Sequence, residues 1–193
     1  MLPDKIATAI AEVLSPFVLV GLLLAVVALR FEQHPGLMAG GVVLFLVGIP
    51  QVLALWLART RRTTDKFIVQ REQRHLFYGL SAGSFLAGIA FTWIAQGSWQ
   101  LRFAAAYALG ILVVVAVINL RLKISVHALA ASFTALCAPV VLGHPWLAVA
   151  LVPVAVCVPW ARVHHDRHSV LEAGSGFGLG LVAGAAFCAA LMR

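Results

Sequence analysis

The chain reads as an all-α integral membrane protein, a polytopic transmembrane helical bundle of six to seven spans. Three observations lead there. Of its 193 residues 62% are hydrophobic and only 11% charged, with a mean hydropathy of +0.99, whereas a soluble domain carries about 25% charged residues. Apolar runs long enough to cross a hydrocarbon core of about 30 Å recur along nearly the whole sequence. The polar residues that remain are gathered into short connections between those runs. No room is left for a separate soluble domain, so residues 1–193 are expected to form one integral membrane domain.

Seven apolar segments can be marked in order, at about 7–29, 36–58, 76–96, 103–119, 127–142, 145–160 and 170–192. The first, "IATAIAEVLSPFVLVGLLLAVVAL", has only Lys5 as a cation before it and is too long for the apolar region of a cleaved signal, so it reads as a retained helix. The fifth and sixth are short and are separated by "GHP", Gly143 to Pro145, a tight-turn signal. A six-span bundle with one re-entrant or tilted segment fits the same pattern. Cys137, Cys157 and Cys188 all lie inside apolar runs with no ligand spacing, which argues against a disulfide framework or a cysteine zinc site.

With seven spans, the connections 59–75, 120–126 and 161–169 fall on the same side of the membrane as the N-terminus. That side carries Lys5, Arg59, Arg61, Arg62, Lys66, Arg71, Arg74, Arg121, Lys123, Arg162 and Arg167, leaving Arg30, Arg102 and Arg193 opposite. Eleven cations against three make it the cytoplasmic side. The net charge of +7 is confined to these connections rather than spread over an exposed face, which disfavours nucleic acid as a partner. Anionic lipid headgroups or a phosphorylated substrate fit better.

Three polar clusters share that side. In the last, "ARVHHDRHSVLE", residues Arg162, His168 and Glu172 are spaced R-x5-H-x3-E. With a helix starting near Ser169, His168 and Glu172 lie one turn apart at its mouth, so the carboxylate can hold one imidazole nitrogen and fix the tautomer. The opposite nitrogen is then a nucleophile, and the helix N-terminus with Arg162 beside it suits a tetrahedral oxyanion. Two other readings stand beside this one. Ser169 to Glu172 is S-x-x-E, a capping box that accounts for Glu172 without catalysis, and His164, Asp166 and His168 form a conceivable metal patch. In the middle cluster, "RLKISVHA", Lys123, Ser125 and His127 alternate and would share one face of an extended segment. Ser125 can then donate to a phosphoryl oxygen and His127 can protonate a leaving oxygen. The competing reading is a basic membrane-surface stop with a histidine bonded to a neighbouring carbonyl. In the first, "RTRRTTDKFIVQREQRHLF", Lys66, Arg71 and Arg74 can converge on an anion, or the segment is a positive-inside anchor for lipid headgroups.

Taken together, these residues resemble the type-2 phosphatidic acid phosphatase superfamily, membrane lipid phosphatases related to vanadium haloperoxidases. Its motifs run K-x6-R-P, P-S-G-H and S-R-x5-H-x3-D. "ISVH", Ile124 to His127, is similar to the second, and Ala161 to Glu172 is similar to the third with its internal spacing intact. "KFIVQREQRH", Lys66 to His75, is a looser K-x7-R-H counterpart of the first. The resemblance implies that His168 attacks phosphorus, Glu172 orients it, and His127 is the general acid. It further implies that Arg162, Ser125, Lys66 and Arg74 bind phosphate, with Arg71 able to replace one of the first-motif cations and Lys123 adjoining them. No metal or other cofactor is needed in that mechanism. The substrate class implied is a polyprenyl phosphate or diphosphate or a diacylglycerol-type phospholipid, acted on in a bacterial inner membrane. Departures are Ile124 and Val126 in place of proline and glycine, Glu172 for aspartate and Ala161 for serine. They leave room for a catalytically degenerate member that binds or transports anionic lipid.

Other membrane functions fit less well. The apolar spans hold almost no ionisable residues at their centres, where a translocation pathway would need them. A magnesium-dependent prenyltransferase needs clustered aspartates, but Asp4, Asp65 and Asp166 are far apart. H-E-x-x-H, the metalloprotease signature, is absent.

Overall fold

The computed structural model describes residues 2–60 and 74–193, with side chains at 5–60 and 75–193. Among these residues the chain is helices joined by short turns and contains no strand. Six helical stretches are long and apolar enough to cross a membrane: Lys5–Phe31, Pro35–Arg59, His75–Ile94, Trp99–Ile118, Leu147–His164 and Val170–Leu191. A seventh, Val126–Leu142, is apolar but shorter. The protein is an all-α, multi-pass membrane protein.

The first two stretches are not uniform rods, and proline is the reason in both. The first divides into α1, Leu2–Val13, and α2, Pro16–Phe31. Pro16 lacks an N–H and biases Ser15 away from the helical region. Ser15 instead starts α2, its hydroxyl accepting from the Val18 N–H at 3.4 Å. The second stretch comprises α3, Pro35–Val43, one π-helical turn, Leu44–Gly48, and α4, Ile49–Arg59. Pro50 sits just past the wide turn, where its ring would crowd the carbonyl four residues back. The Ile49 N–H bonds to Leu44 O instead of Phe45 O, and the released Phe45 carbonyl accepts from the Ser84 hydroxyl at 2.5 Å. A polar group freed inside the membrane is thereby satisfied by a neighbouring helix.

Packing divides the chain into two compact units, residues 27–121 and residues 1–26 with 122–193. In the first, α5, Arg74–Ile94, packs against α3, α4 and the π turn, and α6, Trp99–Ile118, packs on α5. The α5–α6 turn is fixed by Glu32, whose Oε1 accepts from the Ser98 N–H at 2.9 Å and its hydroxyl at 2.6 Å. Ser98 in turn caps α6. Arg102 lies over the Trp93 ring, 4.2 Å from its centroid, an arrangement suited to a membrane–water boundary.

The second unit holds α1 and the start of α2 with α7, Val126–Leu142, α8, Leu147–His164, and α9, Val170–Leu191. Gly143 ends α7 at φ +72°, and His144 N–H bonds to Pro139 O while Gly143 N–H bonds to Val140 O. This left-handed cap turns the chain directly into α8, so the start of α7 and the end of α8 lie together. Ala130, Ala131, Ala135, Ala155, Val158 and Leu19 form the core between them. α7 and α9 approach very closely because Gly176, Gly180 and Gly184 recur every fourth residue on the facing side. A Cβ at Gly176 would collide with the Ser125 carbonyl oxygen, and one at Gly180 with Ser132 and the Leu129 carbonyl. Ser132 donates across the seam to Phe177 O at 2.8 Å. Without water to drive association, such backbone proximity and interhelical bonding are the main sources of adhesion.

Candidate functional site

At one end of the second unit, the start of α7, the end of α8 and the start of α9 meet. Ser169 is the N-cap of α9, its hydroxyl accepting from the Glu172 N–H at 3.2 Å while Glu172 Oε2 accepts from the Ser169 N–H at 3.1 Å. The same Oε2 lies 3.2 Å from His168 Nδ1. The capping box and the histidine contact are therefore two uses of one oxygen. A carboxylate can only accept, so Nδ1 carries the proton in this contact and the lone pair falls on Nε2. The His168 side chain is 2% exposed and that of Glu172 21%.

Backbone geometry explains why R-x5-H brings Arg162 and His168 together. α8 ends at His164, and Asp166 takes a left-handed φ of +52° that turns the chain back. Both the Arg167 and His168 N–H groups then donate to Arg162 O, at 3.1 and 3.3 Å. Arg162 is buried at the last turn of α8. His164 instead stacks on Trp160, with centroids 5.2 Å apart. No group of three or more His, Cys, Asp or Glu converges among the described residues.

Ser125 joins this assembly through its backbone, its N–H donating to Glu172 O at 3.1 Å. It is the N-cap of α7, its hydroxyl accepting from the Ala128 N–H at 3.4 Å. Helix α7 starts at Val126, so the extended alternation expected of Lys123, Ser125 and His127 stops at Ser125, and His127 belongs to the first helical turn. The hydroxyl cap at Ser125 explains the early start. Ser125 and His127 are both buried. Val126 is the first helical residue and has no left-handed φ, so valine fits where a glycine motif would place the most permissive residue. Lys123 spans the end of the unit, its Nζ donating to Arg167 O at 2.8 Å.

Of the sequence candidates, Ser125, Arg162, His168, Glu172, Lys123 and His127 thus fall at one end of one helical unit. Lys66, Arg71 and the side chain of Arg74 lie outside the described residues. Sequence reasoning missed three features of this end. Lys123 braces the 162–168 turn, Thr8 of α1 reaches His165 Nε2 at 3.3 Å, and Gly176 admits the Ser125 backbone against α9. Only the last had a readable signal, the four-residue spacing of small residues in the final span. The chain matches no protein-family model, no curated protein and no solved structure.

Proposed function

We propose that the protein is a metal-independent membrane lipid phosphatase of the type-2 phosphatidic acid phosphatase kind, removing a terminal phosphate through a phosphohistidine. The observation that carries this reading is the buried His168 held at Nδ1 by Glu172, at a helix N-terminus and next to buried Arg162. A bare capping box accounts for Glu172 but not for the burial of His168 and Arg162 at the same helix mouth. Nucleophile, orienter and cation in one place are what phosphoryl transfer needs, since charge stabilisation is its main catalytic requirement.

In the first step Nε2 of His168 attacks phosphorus and the bond from phosphorus to the lipid-side oxygen breaks. His127 gives its proton to that leaving oxygen. In the second, water attacks phosphorus, the P–N bond breaks, and the water proton passes to His127. Arg162 neutralises the phosphoryl oxygens. Ser125 and Lys123 complete the anion site. The substrate is a prenyl phosphate or diphosphate or a diacylglycerol-type phosphate, met at the cytoplasmic face of a bacterial inner membrane.

A second reading, an anionic-lipid binding protein without turnover, draws on Ile124 and Val126 and on the use of the Ser125 hydroxyl as a helix cap. One assay separates the two. Purified protein is given prenyl phosphates, prenyl diphosphates and phosphatidic acid in EDTA, and inorganic phosphate is measured beside His168→Ala. Release that survives EDTA and vanishes in the folded variant supports the phosphatase. No release from any lipid, or equal release by the variant, sinks it.

A further inference from the structure

The peptide joining Arg167 to His168 is held at both ends. On its N–H side, His168 donates to Arg162 O at 3.3 Å, a long bond. On its carbonyl side, Arg167 O accepts from Lys123 Nζ at 2.8 Å, the short distance of a charge-assisted bond. The turn that carries this peptide is under strain. Asp166 sits at φ +52°, a conformation that costs energy for a residue with a side chain, and the Arg167 and His168 N–H groups share a single acceptor, Arg162 O. Lys123 therefore supplies a short, charged tie one peptide bond from His168.

The backbone around Lys123 explains how it reaches that carbonyl. Lys123 is the central residue of a tight turn closed by the Ile124 N–H to Leu122 O at 2.9 Å. Ile124 is 1% exposed, and the Ser125 N–H bonds to Glu172 O at 3.1 Å. The segment is thus anchored on α9, and the half-buried lysine extends from it to the 162–168 turn. Bonds from Lys123 and Ser125 fall on either side of the His168–Glu172 pair, one on the carbonyl just before the histidine and one on the carbonyl of the carboxylate-bearing residue. The contact that fixes the tautomer, His168 Nδ1 to Glu172 Oε2 at 3.2 Å, lies in the interval between them.

From this geometry we infer that Lys123 is a positioning residue, which fixes the Arg167–His168 peptide and through it the aim of the His168 ring. Lys123 completes the anion site by bracing it and not by touching phosphate. This rests on the phosphatase reading above and adds the group outside α8 and α9 that sets the nucleophile. The two roles have different signatures. A lysine that binds phosphate strengthens the hold on substrate and on free phosphate, whereas a brace acts on turnover and leaves those affinities in place.

The test uses the full-length protein in nanodiscs and two variants, Lys123→Met, which keeps the length but loses the donor, and Lys123→Arg, which keeps a donor; Lys123→Ala serves if the methionine variant unfolds. Hydrogen exchange read by mass spectrometry reports on the turn without any substrate. Amides of the 162–168 segment are expected to exchange about tenfold faster in Lys123→Met, with the α7–α9 seam unchanged, and Lys123→Arg should recover the slow exchange. Turnover of a lipid phosphate should fall about tenfold in Lys123→Met and recover in Lys123→Arg. KM and inhibition by inorganic phosphate should stay within about twofold of wild type. Unchanged exchange in Lys123→Met, or phosphate inhibition that weakens in step with turnover, overturns the inference. Faster exchange in a protein that releases no phosphate would leave the brace standing and remove the phosphatase.

Discussion

Replacing Gly176 with alanine tests whether the contact between α7 and α9 sets the chemistry or only the packing. The added Cβ would strike the Ser125 carbonyl oxygen and stand 3.1 Å from both the Ser125 carbonyl carbon and nitrogen. Neither backbone can rotate away as a side chain would, so the helices must separate. The Ser125 N–H to Glu172 O bond, already 3.1 Å long, is the first to break. Overpacking of this kind costs about 1 to 3 kcal/mol, and the lost hydrogen bond about 1 kcal/mol more. Displacing Ser125 and His127 from His168 by about 1 Å is enough to lower turnover roughly 10²-fold. Gly180→Ala is the matched control, because its Cβ collides with Ser132 and the Leu129 carbonyl on the same helix pair but one turn further from the site. Denaturation in detergent should show comparable losses for both variants, with lipid phosphate release falling steeply only in Gly176→Ala. A folded Gly176→Ala protein with wild-type turnover, or equal losses of turnover in both variants, would refute the positioning argument.

Further outcomes follow from other contacts. Glu172→Gln retains a residue suited to the capping box but removes the negative charge facing His168; the loss of stability in denaturant should stay near about 1 kcal/mol while turnover drops about 10²-fold, and unchanged turnover would reduce Glu172 to a cap. Gly143→Ala forces a side chain into a left-handed φ of +72° and should cost about 1 to 2 kcal/mol, read by detergent denaturation, with turnover unaffected because Gly143 ends α7 far from His127. Ser84→Ala removes the donor to Phe45 O beside the π turn and should cost about 1 kcal/mol; no measurable change would show that the carbonyl has another partner.

How far the sequence carried the argument depends on the range of each interaction. Hydropathy located the spans because crossing hydrocarbon imposes length and composition on every segment. The R-x5-H-x3-E spacing was informative because the 162–168 turn and the Ser169 cap are closed by neighbours a few residues away. Ser15–Pro16 and Pro50 carried readable breaks inside runs that hydropathy treats as continuous. The Ser125–Glu172 bond was not legible, since it depends on how nearly two helices 47 residues apart in sequence approach. The choice between a capping box and a histidine orienter also could not be made by spacing, because one carboxylate oxygen serves both.

The division of the chain into units has a bearing on biogenesis. Residues 1–26 pack with residues 122–193, so α1 and the start of α2 find these neighbours only after residues 27–121 have been made. Neither α1, with 12 residues, nor α2, with 16, is long enough to cross about 30 Å of hydrocarbon, and their joint is an irregular backbone that lipid alone does not satisfy. The joint is shielded where Leu14 and Leu19 pack against α7 and α8. Assembly of this unit joins two segments that residues 27–121 separate in sequence.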